Sequence, residues 1–173
     1  MIHFADERTA DVAPREALLD RAMGRVRFLK PSEQLRRGRL PAAGLALVAR
    51  ERGKLVGSVR LWNIDAGGRN ALLLGPLAVD PAAQGFGVGS GLVELALARA
   101  AGLGHAGIIL VGDPEYYERF GFSAAPTGAL MMPAPVARRR FLGLELATSA
   151  LAGASGRIVA TGTPIAAAER LAA

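Results

Sequence analysis

The chain contains no cysteine. That excludes disulfides, cysteine-ligated zinc and a thiol nucleophile, and nothing opposes a reducing compartment. Aromatic residues make up only 5%. They are not interleaved with the basic residues, so a stacking surface for single-stranded nucleic acid has no support. No apolar stretch approaches the length of a membrane span, and Met1-Ile2-His3-Phe4-Ala5-Asp6-Glu7 is not a signal peptide. A cytoplasmic protein without membrane contact is therefore expected. No metal site is expected either. Lysine is also scarce: of 21 cations, all but Lys30 and Lys54 are arginine. Against 15 carboxylates they leave a formal charge of +6. A basic surface suits an anionic ligand, and nucleic acid is the weaker alternative.

What is present describes a globular chain. Apolar residues make up 51% of 173, enough for one domain with a substantial core. Residues 1–173 are read as a single domain with its core at about 10–147. The tail from Ala150, rich in alanine and glycine, is left unassigned.

Asp11 to Met23 reads as a helix with Pro14 in its first turn and Gly24 after it. Ser32 is a candidate cap for a short helix, Glu33 to Arg37. Leu45–Ala49 and Leu55–Trp62 read as a hairpin across Glu51-Arg52-Gly53-Lys54. A strand at 71–79 follows, with a bulge or bend expected at Gly75-Pro76. Ser90 to Ala101 reads as a helix, Ile108–Val111 as a strand covered on both faces, and Asp113-Pro114-Glu115 as a helix start capped by Asp113. Ala129–Met132 and Phe141–Leu146 are further strands. The order indicates an α+β domain with one mixed sheet.

Between strand and helix lies Gln84-Gly85-Phe86-Gly87-Val88-Gly89. Unpaired N–H groups and the helix dipole favour an anion there, and glycine lets a phosphate reach the backbone. This predicts a pyrophosphate cradle formed by Gly85 through Gly89, with the Ser90 hydroxyl as a further donor. The dinucleotide pattern fails because Ser90 occupies its last glycine position. Gly102-Leu103-Gly104-His105-Ala106-Gly107 matches as a string but follows a helix and precedes a strand, so it reads as a helix end. A Walker loop is absent, since Leu55 follows Gly53-Lys54.

Q-x-x-G-x-G after an apolar strand resembles the acetyl-CoA signature of the GNAT superfamily of N-acetyltransferases. Tyr116-Tyr117-Glu118-Arg119-Phe120-Gly121-Phe122, one helix and one strand downstream, resembles that family's second CoA-side motif. The hairpin with Gly57 fits as well. The resemblance covers roughly residues 10–125. It looks closest to the bacterial subgroup of predicted N-acetyltransferases with Gly-Asp-Pro before the tyrosine pair.

The resemblance implies a mostly antiparallel mixed sheet with a splayed parallel pair, flanked by helices. It implies acetyl-CoA as co-substrate, bound by Leu77, Ala78, Val79, Gln84, Gly85, Phe86, Gly87, Val88, Gly89, Ser90 and Tyr117. A backbone N–H near Leu77 to Val79 would polarise the thioester carbonyl. Tyr117 is the implied general acid, and Tyr116 a packing residue. Many relatives carry a strand glutamate that serves as base, and Leu74-Gly75-Pro76-Leu77 has none. That gap motivates the alternative of a non-catalytic acyl-CoA-binding or sensing domain. The acceptor would be a primary amine held by the loops at 24–42 and 124–140, and a homodimer is compatible with the family. Trp62, Met131 and Met132 are read as pocket or core. Arg138-Arg139-Arg140 is read as a solvated loop.

Overall fold

The computed structural model of the chain describes residues 1–166. The end of the tail, from 167 onward, lies outside the described residues. Strand β1 (Ile2–Asp6) precedes helix α1 (Val12–Met23) and a single helical turn, α2 (Glu33–Arg36). Strands β2 (Ala46–Glu51), β3 (Lys54–Ala66) and β4 (Asn70–Val79) form a meander, and helix α3 (Val88–Gly102) leads to β5 (Gly107–Val111). The turn α4 (Pro114–Tyr117), β6 (Leu130–Met131), β7 (Phe141–Glu145) and β8 (Gly156–Ala160) complete the described residues.

The sheet order is β1-β2-β3-β4-β5-β7, with β8 pairing both β3 and β6. Along the main path only β4 and β5 run parallel. The expected mixed sheet with one parallel pair is therefore present. Alternation divides its core into two faces. Leu72, Leu74, Ile108 and Leu110 lie with Leu92 and Ala96 of α3 on one face. Leu73 and Ile109 lie with Trp62, Phe141 and Ile158 on the other. Leu18 and Leu19 of α1 pack on Val48, Leu55 and Ala78.

Two features of this frame prepare the site. Helix α3 sits close on the sheet because β3 has a glycine beneath it. A Cβ on Gly57 would stand 2.7 Å from Val88 Cγ1 and 2.9 Å from Leu92 Cδ1. The second feature is an irregularity in β4. Val59 pairs with Leu77 but Leu61 with Leu74, so β4 carries an extra residue at Gly75–Pro76, whose peptide bond is cis. The expected bulge stands there, and Trp62 Nε1 donates to its Gly75 carbonyl at 2.6 Å. Beside it the parallel pairing is short: Leu72 meets Ile108 and Leu73 meets Ile109. Further along, β4 and β5 separate.

Several local expectations differ from the structure. Ser32 makes no capping bond, and its hydroxyl accepts instead from Arg36 Nη1 at 3.3 Å. Asp113 stands at the cap position, but its side chain caps nothing and faces out. Only its carbonyl serves, accepting from the N–H groups of Tyr116 and Tyr117, each at 3.1 Å. The arginine triplet is more than a solvated loop. Arg138 donates to the carbonyls of Leu130, Thr127 and Gly128, and Arg139 pairs with Glu115. Trp62 and Met132 are core residues, while Met131 is exposed. Strands β1 and β8 have no counterpart in the sequence reading.

Candidate active site

A cavity of about 790 Å³ runs along the gap between β4 and β5. One end is the glycine-rich turn. Gly85 and Gly87 have φ of 82° and 77°, in the left-handed region where a side chain is strained. Gly87 is the residue before α3 and offers no side chain to cap it. Gly91 is the first residue of the helix whose N–H reaches a carbonyl, that of Gly87 at 2.9 Å. The N–H groups of Val88, Gly89 and Ser90 are left for an outside acceptor, at the positive end of a 15-residue helix. Asp80 steadies the approach to this turn. Its carboxylate accepts from Ala82 N–H at 3.1 Å and Arg21 at 3.2 Å. The Ala82 N–H bond, then Lys54 and Arg21, hold it below the usual carboxylate range.

The middle of the cavity is edged by β4. Asp80 N–H donates to Val56 at 2.8 Å, which places that N–H on the β3 side. Strand alternation puts the Ala78 N–H on the same side and turns those of Leu77 and Val79 toward the gap. Unpaired donors thus line the splay.

Opposite them stand the tyrosines of α4. The Tyr117 ring meets Tyr116 edge-on at 4.9 Å and Phe122 at 5.8 Å. It also rests on Gly112, where a Cβ would come 2.5 Å from Tyr117 Cε2. Neither tyrosine hydroxyl has a hydrogen-bond partner among the described residues. Burial, with Tyr116 and Asp113 nearby, pushes the Tyr117 phenol well above its ordinary value, and Arg140 opposes this weakly. Tyr116 packs edge-on against Tyr117 and Phe120. Its hydroxyl lies 2.9 Å from where a Cβ on Gly89 would be, and Arg119 covers its ring at 4.8 Å.

Most of the expected site residues meet here. Leu77, Val79, Gln84, Gly85, Gly87, Val88, Gly89, Ser90 and Tyr117 border one cavity. Ala78 does not: its side chain is buried under α1. Phe86 points away and is 76% exposed. The far end brings residues to which the sequence reading gave no individual role, within the segments 24–42 and 124–140. Lys30, Glu33 and Arg36 reach the wall from the α1–α2 region, and Arg140 from the start of β7. Within 124–140 only Arg140 does so. Glu33 supplies a carboxylate beside a strand that has none, and Arg36 holds it at 3.0 Å. Its placement depends on α2 folding back onto β3, which no local pattern announces.

The comparisons agree with this architecture. The acetyltransferase (GNAT) domain family matches residues 42–124. YhbS of Escherichia coli K12, an uncharacterised N-acetyltransferase, is 34% identical over 117 residues, 66% of this chain and 70% of that protein. The crystal structure of E. coli YhbS in complex with CoA has a TM-score of 0.78 and 31% identity, covering 92% of this chain and 89% of the other. A GNAT acetyltransferase from Brucella melitensis in complex with acetyl-CoA follows at 0.66 and 30%, covering 85% and 89%. With the turn, the splayed strands and the tyrosine pair in one cavity, the chain belongs to the GNAT family of N-acetyltransferases.

Proposed function

We propose that residues 1–173 form one enzyme domain that moves the acetyl group of acetyl-CoA to a primary amine. The observation that carries this is the single cavity joining the free N–H groups of α3, the open edge of β4 and the Tyr117 hydroxyl. The N–H groups of Gly85 through Ser90 hold the pyrophosphate, with Gln84 at the rim. Pantetheine lies in the gap, and Leu77 or Val79 N–H donates to the thioester oxygen as it gains charge. The neutral amine attacks the carbonyl carbon. The C–S bond then breaks, and the leaving sulfur takes the Tyr117 proton. The ammonium of the adduct returns a proton to the phenolate through water, leaving amide and free CoA thiol. Burial raises the Tyr117 phenol, which favours its protonated form at neutral pH. It also makes the phenol a weaker acid, which gives up its proton only as the thiolate leaves. No described helix is long and apolar enough to cross a membrane, and a cytoplasmic enzyme fits a CoA co-substrate.

Tyr117→Phe tests the assignment. Turnover, followed as released CoA thiol, should fall by about 10²-fold or more, while calorimetric acetyl-CoA affinity stays nearly unchanged. Turnover equal to the parent across the pH range would remove Tyr117 from the mechanism. A second reading, an acyl-CoA-binding domain without turnover, is favoured by the missing carboxylate on β4. Acetyl-CoA recovered intact after incubation with a broad amine and peptide panel would establish it.

A further inference from the structure

Beyond the Gly75–Pro76 bulge, the cavity wall carries positive charge that acetyl transfer does not use. Lys30, Arg36 and Arg140 border it, with Glu33 and Asp113 as the carboxylates. Arg27 is also there, but Glu16 and Asp20 hold it at 2.6 and 3.0 Å. Arg36 is buried and turns Nε and Nη2 onto one oxygen of Glu33, at 3.3 and 3.0 Å. Its Nη1 has only the long bond to Ser32 Oγ. That nitrogen lies over the bulge, 3.7 Å from where a Cβ on Gly75 would stand. Arg140 is 3.7 Å from an exposed Asp113 carboxylate.

Lys30 has no ion-pair partner among the described residues. Partial burial and the nearby charges of Arg36 and Arg140 hold its ammonium below the usual lysine range. Glu33 and Asp113 offset two of these three charges, so the wall keeps a net positive charge, with Arg36 buried and Lys30 and Arg140 exposed to an incoming anion. The CoA phosphates are not that anion. Their cradle begins after Val79, four residues past Gly75, or roughly 13 Å along an extended strand. The thioester would lie between the two ends.

We infer that the acceptor is a small amine that also bears a carboxylate or phosphate group, and that Lys30, Arg36 and Arg140 hold this anion while the amine faces the thioester. The inference rests on the acyl-transfer reading. A carboxylate or phosphate suits the guanidinium fork of Arg140, while Arg36 offers its Nη1 and Lys30 adds a point charge. Diamines and polyamines would meet like charge and be turned away.

The test compares four sets of amines of matched length: α- and ω-amino acids, aminoalkyl phosphates, alkylamines and diamines. Released CoA thiol gives kcat/KM for each. One of the two acid sets should exceed the alkylamines by about tenfold to a hundredfold, the worth of one charge-assisted contact, and the better set identifies the anion. Lys30→Gln and Arg140→Gln should each reduce that preference about tenfold through KM. Arg25→Gln, five residues before Lys30 and outside the cavity wall, should keep it. Alkylamines or diamines matching the acids would overturn the inference, as would equal losses for all amines in the two cavity variants. The comparison of amines on the parent protein stands even where a variant fails to fold.

Calorimetric titration of the same acids into CoA-saturated protein separates the two readings. Acid binding that weakens in Lys30→Gln, without any turnover, upholds the anion site and defeats acyl transfer. Turnover confined to alkylamines and diamines does the reverse. Acids that neither bind nor turn over defeat the anion site.

Discussion

The absence of a side chain at Gly112 decides where Tyr117 stands. The ring lies where a Cβ would be, so an added methyl must displace either the phenol or the end of β5. Gly112→Ala should therefore leave acetyl-CoA affinity close to the parent and lower kcat by about tenfold to a hundredfold, as expected when a reacting group moves by a fraction of an ångström. A loss of affinity with kcat unchanged would mean that Tyr117 only binds. The raised phenol makes a second demand on the pH profile. Turnover at saturating amine should show no alkaline fall from Tyr117 below pH of about 10, the ordinary tyrosine value. A fall that Tyr117→Phe removes would contradict this. The first test reads the position of the phenol and the second its ionisation, and neither reads the stability of the fold.

At the scale of elements, the phosphate cradle depends on how α3 lies on β3. Gly57 permits that contact. Gly57→Ala should overpack Val88 and Leu92 at a cost of about 1–3 kcal/mol and tilt the first turn of α3. Thermal denaturation should show the lower midpoint, and calorimetry a weaker acetyl-CoA affinity in protein that is still folded. A loss of stability with full affinity would show that the cradle does not depend on this packing.

The elements also show what a sequence can announce. The hairpin, β4, the glycine turn, α3 and β5 each carry their own pattern and stand within a few residues of expectation. The bulge was legible because proline cannot donate to a ladder. Strand β1 was not, because it is an edge strand with two exposed positions and no clean alternation. Strand β8 was not, because Gly-Arg-Ile-Val-Ala becomes a strand by pairing Ile64–Ala66 of β3. Lys30, Glu33 and Arg36 lie in a segment of short turns, and only the tertiary fold brings them to the cavity. The donor side is written in local pattern, while the proposed acceptor side is written in contacts between distant segments.

Across the whole molecule, arginine does the work that scarce lysine leaves undone, and much of it is pairing. Glu7 binds Arg15 and Arg60 with little exposure of its carboxylate. Asp11 meets Arg50 and accepts from Arg8 N–H. Asp80 meets Arg21 and Lys54. Burial opposes ionisation of Asp11, but the Arg8 N–H and Arg50 outweigh it, and its carboxyl sits below the usual range, as does that of Asp80. The unfolded chain therefore binds protons at these positions before the folded one does. Their stabilisation is complete above the unfolded carboxylate value of about 4, and is lost as pH falls through the lower folded values. Urea midpoints should be level from about pH 5 to 8 and drop below about pH 4. Asp80→Asn should flatten part of that drop, because the substituted side chain no longer titrates. It should also weaken acetyl-CoA binding at neutral pH, because Asp80 anchors the turn that enters the cradle. An acid limb as steep in Asp80→Asn as in the parent would assign the loss to other carboxylates. Unchanged acetyl-CoA affinity would separate the anchor from the cradle.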